Sequence, residues 1–142
     1  MSRVRKWAIV ALGALVGGCT PEAPLPRAPG SVTITMDEFR FVAPDSFPAG
    51  RVVLRTRNAG ELKHDLVVIE IAEELPPLGE QLQSETRHAT PTLAVLPTQK
   101  AGEEAAFALD LEPGRYGMVC FVPDDEGVPH ALRGMHAEFT VD

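Results

Sequence analysis

Cys120, His130 and Met135 fall within sixteen positions, with nine residues between the first two and four between the last two. The whole chain holds only two Cys, four His and four Met, so a thiolate, an imidazole and a thioether this close together stand out. Donors of these soft and borderline types select copper over harder cations. Two imidazoles, one thiolate and a weak axial thioether make a blue-copper electron-transfer centre. The second imidazole must come from upstream, and His64, at the head of the apolar run Leu66–Ile71, is the candidate. Taken singly, each residue has a plainer reading: His64 as a polar residue opening a strand, His130 as a loop residue after Pro129, Met135 as core. Met118 reads as core beside Cys120, while His88 and His136 have no place in the pattern. What carries the assignment is the joint order of His64, Cys120, His130 and Met135.

A rigid frame must hold those four, and the hydropathy pattern points to β-structure. Val32, Ile34 and Met36 alternate with Thr33 and Thr35, and Val52 and Leu54 alternate with arginines, as in half-buried strands. The facing set shifts by one residue at Phe39 and Phe41, which predicts a bend or bulge past Asp37. Leu66, Val67, Val68, Ile69 and Ile71 are apolar on both faces, the mark of a central strand. Phe107, Leu109 and Leu111 alternate, and Tyr116, Met118 and Cys120 share one face. Ala137, Phe139 and Val141 close the series. Residues 72–101, rich in Pro, read as a partly irregular insertion with a possible short helix between Gly79 and Arg87. The expectation is all-β: a Greek-key β-sandwich of about seven or eight strands over residues 31–142. The pattern alone does not separate this from an immunoglobulin-like sandwich.

Ahead of that domain lies a processing signal. Arg3, Arg5 and Lys6 precede an apolar stretch from Trp7 to Val16, too short for a membrane span. Val16-Gly17-Gly18-Cys19 resembles a lipobox, which implies cleavage after residue 18 and a lipidated Cys19; an ordinary secretory cut is the plainer alternative. Residues 19–30, with Pro21, Pro24, Pro26 and Pro29, read as an extended tether. The chain is thus expected to be exported and anchored by lipid to a bacterial membrane, its domain facing the periplasm or the cell exterior. If Cys19 carries lipid, Cys120 has no disulfide partner, and coordination gives a lone thiol a role. Losing the leader removes three positive charges and leaves ten Lys and Arg against twenty Asp and Glu, a formal charge of −10. That balance excludes a nucleic-acid footprint and a polybasic membrane patch, and it suits either plain solubility or a basic redox partner.

The segment Gly114-Arg115-Tyr116-Gly117-Met118-Val119-Cys120, followed by Pro129-His130 and Gly134-Met135, resembles the ligand loop of the cupredoxin (plastocyanin/azurin-like) family. Asn58-Ala59-Gly60 through His64 resembles its upstream His segment. The resemblance implies one type 1 copper on His64, Cys120, His130 and Met135, with Asn58 and Asp65 supporting the ligands from behind. It also implies a docking patch of Pro129, Ala131 and Leu132 around the edge of His130, and a monomeric carrier that passes single electrons between redox proteins. Two departures stand out. The gap between Cys120 and His130 is long and contains Asp124, Asp125 and Glu126, which would lower the reduction potential if they point inward. Asp65 stands where many members carry Asn. Val119 and Phe121, rather than His, flank Cys120, so nothing bridges to a second copper, and the reading is not an enzyme. A copper-holding or delivery protein, or a metal-free interaction domain of the same fold, are the alternatives.

Overall fold

The computed structural model describes residues 30–142; the leader, Cys19 and all but the last residue of the tether lie outside them. Nine strands form two sheets. They are β1 (Gly30–Asp37), β2 (Arg40–Val42), β3 (Ser46–Phe47), β4 (Gly50–Asn58), β5 (His64–Ile71), β6 (Thr92–Gln99), β7 (Glu104–Leu111), β8 (Gly114–Val119) and β9 (His136–Val141). A helix α1 (Leu78–Gln83) and a single 3-10 turn, His130–Arg133, complete the elements. One sheet runs β2-β1-β4-β7 and the other β3-β9-β8-β5-β6. Apart from an excursion to the two-residue β3 in the second sheet, the chain crosses between sheets after β4, returns after β6 and crosses again after β7, as in a Greek-key sandwich. Two contacts, β1 with β4 and β3 with β9, are parallel.

The alternation read from the sequence is what the sheets bury. Val32, Ile34 and Met36 of β1 and Val52 and Leu54 of β4 face inward. Against them lie Leu66 and Val68 of β5, Tyr116 and Met118 of β8, and Phe139 and Val141 of β9. Phe139 stacks on both Phe47 and Tyr116, with ring centroids 4.0 and 5.4 Å away. β5 is apolar on both faces because it is covered on both. Val67, Ile69 and Ile71 point outward and pack with Val119, with Leu78 of α1 and with Ala131 of the 3-10 turn. Gly117 allows this, since a Cβ there would fall 2.8 Å from Leu78 Cδ2. Arg115 and Glu138 pin α1: the guanidinium donates to Glu138 and to the carbonyls of Leu75 and Pro76, while Glu138 accepts the Leu78 N–H.

Two local expectations are refined. Residues 72–101 are partly irregular and carry the expected short helix as α1, but they also hold the edge strand β6, which pairs antiparallel with β5. The prolines concealed β6, and an edge strand tolerates Pro97 because one side of its backbone has no partner. The shift of facing residues past Asp37 is a tight hairpin rather than a bulge, with Asp37 opposite Arg40 and the turn made by Glu38 and Phe39. Phe39 takes φ +57°, a left-handed conformation uncommon for a residue with a side chain.

Phe139 is 2% exposed and is the middle ring of three. Phe139→Ala should therefore cost about 3–5 kcal/mol, read as a lower urea midpoint at unchanged slope.

Candidate metal centre

His64, the first residue of β5, opposes Gln99 at the end of β6. The five residues before it are tied down by Asn58, which is fully buried at the end of β4. Its Nδ2 donates to the carbonyls of Leu62 (2.7 Å) and Gln99 (2.9 Å), and its Oδ1 accepts the Gly60 N–H (3.0 Å). One side chain thus closes the turn that aims His64 inward, where it is 0% exposed.

Cys120 follows directly on β8. Its N–H donates to Met135 O (3.1 Å), and its carbonyl accepts the Ala131 N–H (2.8 Å). The long gap to His130 is taken up by a small closed excursion. Pro123 and Pro129 form a bridge, and Asp124 Oδ1 accepts the N–H groups of Glu126 and Val128, both at 2.9 Å. The Val128 N–H first, then the Arg133 side chain, hold the Asp124 carboxyl below its ordinary range. At the neck of this excursion the His130 N–H reaches Val122 O at 2.8 Å. Val122 and His130 are therefore neighbours despite the residues between them. Two of the three carboxylates of this excursion are engaged by one cation: Arg133 pairs with both Asp124 and Glu126.

Gly134, at φ +110°, ends the 3-10 turn and reverses the chain. Met135 then lies fully buried, its N–H donating to His130 O at 2.9 Å.

Three donor atoms meet as a result. His64 Nδ1 lies 3.1 Å from His130 Nδ1, and Cys120 Sγ lies 3.6 Å from His130 Nδ1. With metal–nitrogen and metal–sulfur bonds of about 2.0 and 2.3 Å, donor atoms on one tetrahedral ion stand about 3–4 Å apart. The spacing fits a single ion, and so does the burial: His64, Cys120 and His130 are 0%, 0% and 2% exposed. Burial lowers the His64 pKa, reinforced by His130, and so favours the neutral imidazole that a metal needs. Burial also pushes the Cys120 thiol up to about 11, so without a cation the sulfur keeps its proton.

Asp65 joins the two ligand segments. Its N–H points at Cys120 Sγ (3.5 Å), and its Oδ1 accepts the Phe121 N–H (2.8 Å). Two residues that the sequence did not single out come from the β1–β2 turn. Phe39 sets its ring against His130, centroids 5.0 Å apart and planes at 80°. Glu38 accepts the N–H groups of Glu61 and Leu62, and its Oε1 lies 3.7 Å from His64 Nε2. The Leu62 N–H in particular holds the Glu38 carboxyl below its ordinary value. An acid in a two-residue turn carries no local signal of such a role. Of the expected docking patch, Leu132 is half exposed and Pro129 partly so, but Ala131 is buried. Its bond to the Cys120 carbonyl draws it onto the outer face of β5 and β8. Phe121, 48% exposed, was not anticipated there.

No protein-family model and no curated protein matches the sequence. Solved structures do match its shape. Reduced auracyanin from Roseiflexus castenholzii superposes at TM-score 0.58 and 18% identity, over 81% of this chain and 98% of that one. Auracyanin A from Chloroflexus aurantiacus, described as a blue copper protein, gives 0.53 at 20% identity, over 80% and 100%. Rusticyanin from Thiobacillus ferrooxidans gives 0.53 at 16% identity, over 81% and 79%. The fold is that of the cupredoxins. The immunoglobulin-like alternative left open by the strand pattern is thereby set aside. Within the cupredoxin fold, His64, Cys120 and His130 converge at one place, with Met135 buried beside them in sequence and backbone bonding.

Asn58→Ala would leave two carbonyls and the Gly60 N–H without their partner. It should cost about 1–3 kcal/mol, with faster hydrogen exchange at the Gly60 amide as the local sign.

Proposed function

We propose that this protein is a blue-copper single-electron carrier, one copper per chain, held at a bacterial membrane by lipid on Cys19. The observation that carries the reading is the buried meeting of two imidazole Nδ1 atoms and one thiol sulfur at 3.1 and 3.6 Å. Met135, fully buried and bonded through its backbone to both Cys120 and His130, supplies the thioether that completes a type 1 donor set. When bound, copper supplies a one-electron couple between its two oxidation states. The chain's own part is to keep the donors where both states tolerate them. Cys120 is held through both of its backbone groups, His130 through the Val122 carbonyl, and His64 behind the Asn58 turn. The same packing excludes water from all three ligands.

Electron passage to a partner needs an approach to the site, and the half-exposed Phe121 and Leu132 flank the Cys120–His130 loop. An acidic chain with ten positive charges against twenty negative after the leader suits a basic redox partner. The carrier works on the outer side of the cytoplasmic membrane, in the periplasm or at the cell exterior, and the lipobox-like Val16-Gly17-Gly18-Cys19 supports that placement.

Titration with Cu(II) should produce an intense visible thiolate-to-copper band and narrow copper hyperfine splitting in EPR, saturating at one ion per chain. Cys120→Ser should abolish the band and leave the far-UV spectrum unchanged. A folded wild-type protein with a reduced thiol that shows no band at stoichiometric copper would sink the reading. Membrane attachment is a separate matter: Cys19→Ser should release the protein from the membrane fraction and prevent incorporation of labelled fatty acid.

A further inference from the structure

Glu38 belongs to the opposite sheet from the ligands, yet its carboxylate is committed to the segment that carries His64. Oε1 accepts the N–H groups of Glu61 at 2.6 Å and Leu62 at 2.9 Å, just ahead of the ligand. The same oxygen lies 3.7 Å from His64 Nε2. That nitrogen is buried and has no hydrogen-bond partner among the described residues. Gly60 makes the seat. A Cβ at that position would fall 2.3 Å from Glu38 Oε1 and 2.8 Å from its Cδ, so only a residue without a side chain leaves the carboxylate in place.

The other nitrogen of His64 is accounted for. Nδ1 faces His130 Nδ1 at 3.1 Å; when it gives its lone pair to a metal, or accepts the Nδ1–H of His130 in the copper-free protein, the proton of the neutral His64 ring sits on Nε2. A buried N–H needs an acceptor, and a metal-bound imidazole commonly gives this proton to a carboxylate. The 3.7 Å separation leaves no room for a water between the groups. A shift of about half an ångström makes it a hydrogen bond.

We propose that Glu38 is a positioning residue of the metal centre: its carboxylate receives the Nε2–H of His64, keeps Nδ1 turned toward Cys120 and His130, and places one negative charge behind that imidazole. The proposal rests on the copper reading above for its effect on potential, but not for the contact itself. A negative charge there stabilises the oxidised, more positive ion, so removing it raises the reduction potential. The charged neighbours in sequence are Asp37 and Arg40 beside Glu38, and Glu61, Lys63 and Asp65 beside His64. Asp37 is bound to Arg40 and Asp65 to the Phe121 N–H, whereas the Glu38 carboxylate lies 3.7 Å from His64 Nε2.

Two variants test this in the full chain. Glu38→Gln keeps an acceptor for Glu61 and Leu62 but removes the charge, and Gly60→Ala keeps the charge but displaces the carboxylate. The first readout is the ring nitrogen and proton signals of His64 by NMR in copper-free protein. The second is the reduction potential of copper-loaded protein. The wild type should show His64 protonated on Nε2, with that proton moved upfield in both variants, and the potential of Glu38→Gln should rise at an unchanged visible band. Identical His64 signals in wild type and both folded variants would overturn the assignment, as would an unchanged potential in Glu38→Gln. A wild type that takes up no copper sinks the carrier reading instead, and the ring measurement then decides the Glu38 contact by itself.

Discussion

Two imidazole nitrogens 3.1 Å apart inside an apolar core cannot both turn lone pairs toward each other without a proton or a cation between them. With the Cys120 sulfur 3.6 Å from one of them, the centre concentrates three electron-rich atoms where no water reaches. Much of the structure around it serves to hold that arrangement. Without a cation, burial keeps the Cys120 thiol protonated and His64 neutral, and a ring proton on one of the two imidazoles lies between their Nδ1 atoms. A cation that displaces the thiol proton satisfies all three donors together.

The frame is built so that three of the four donor residues are held through backbone bonds among themselves and their neighbours. Cys120 is gripped through its N–H by Met135 and through its carbonyl by Ala131, and His130 through its N–H by Val122. With the Met135 N–H bonded to His130 O, these bonds tie Cys120, His130 and Met135 to one another through the backbone. The upstream ligand is held differently, by a buried amide side chain, Asn58, and by Asp65, which spans to Phe121. The β1–β2 turn then reaches in from the facing sheet, with Phe39 against His130 and Glu38 beside His64. The left-handed backbone of Phe39 is a cost the fold tolerates where the turn meets the ligands.

The acidic insertion between Cys120 and His130 shows how a loop lengthens without disturbing such a site. Its neck is fixed by the pairing of Val122 with His130 and of Pro123 with Pro129, and beyond the neck Asp124 gathers the N–H groups of Glu126, Gly127 and Val128 while Arg133 holds Asp124 and Glu126. Arg133 offsets one of the three negative charges that Asp124, Asp125 and Glu126 bring to this loop. Glu38, far away in sequence, becomes the carboxylate nearest to a ligand's outer nitrogen in this architecture.

Residue types and periodicity were enough to read the donor order, the alternating strands and the two-sided burial of β5, because these follow from side-chain chemistry repeated at short range. Val32–Met36, Leu66–Ile71 and Tyr116–Cys120 carry their facing directions in their own spacing. The strand β6 did not, because prolines on an edge strand look like breaks until a neighbour is known to pair on the other side. Nor did the burial of Ala131, which depends on a bond to a carbonyl eleven positions earlier. Glu38 and Gly60 carry no local mark at all: an acid in a turn and a glycine in a loop are ordinary until the sandwich closes and sets one against the other. The sequence by itself determined which atoms could bind and which faces would be buried. Only the tertiary structure decided which atoms meet, because that meeting is made by hydrogen bonds and contacts between segments tens of residues apart.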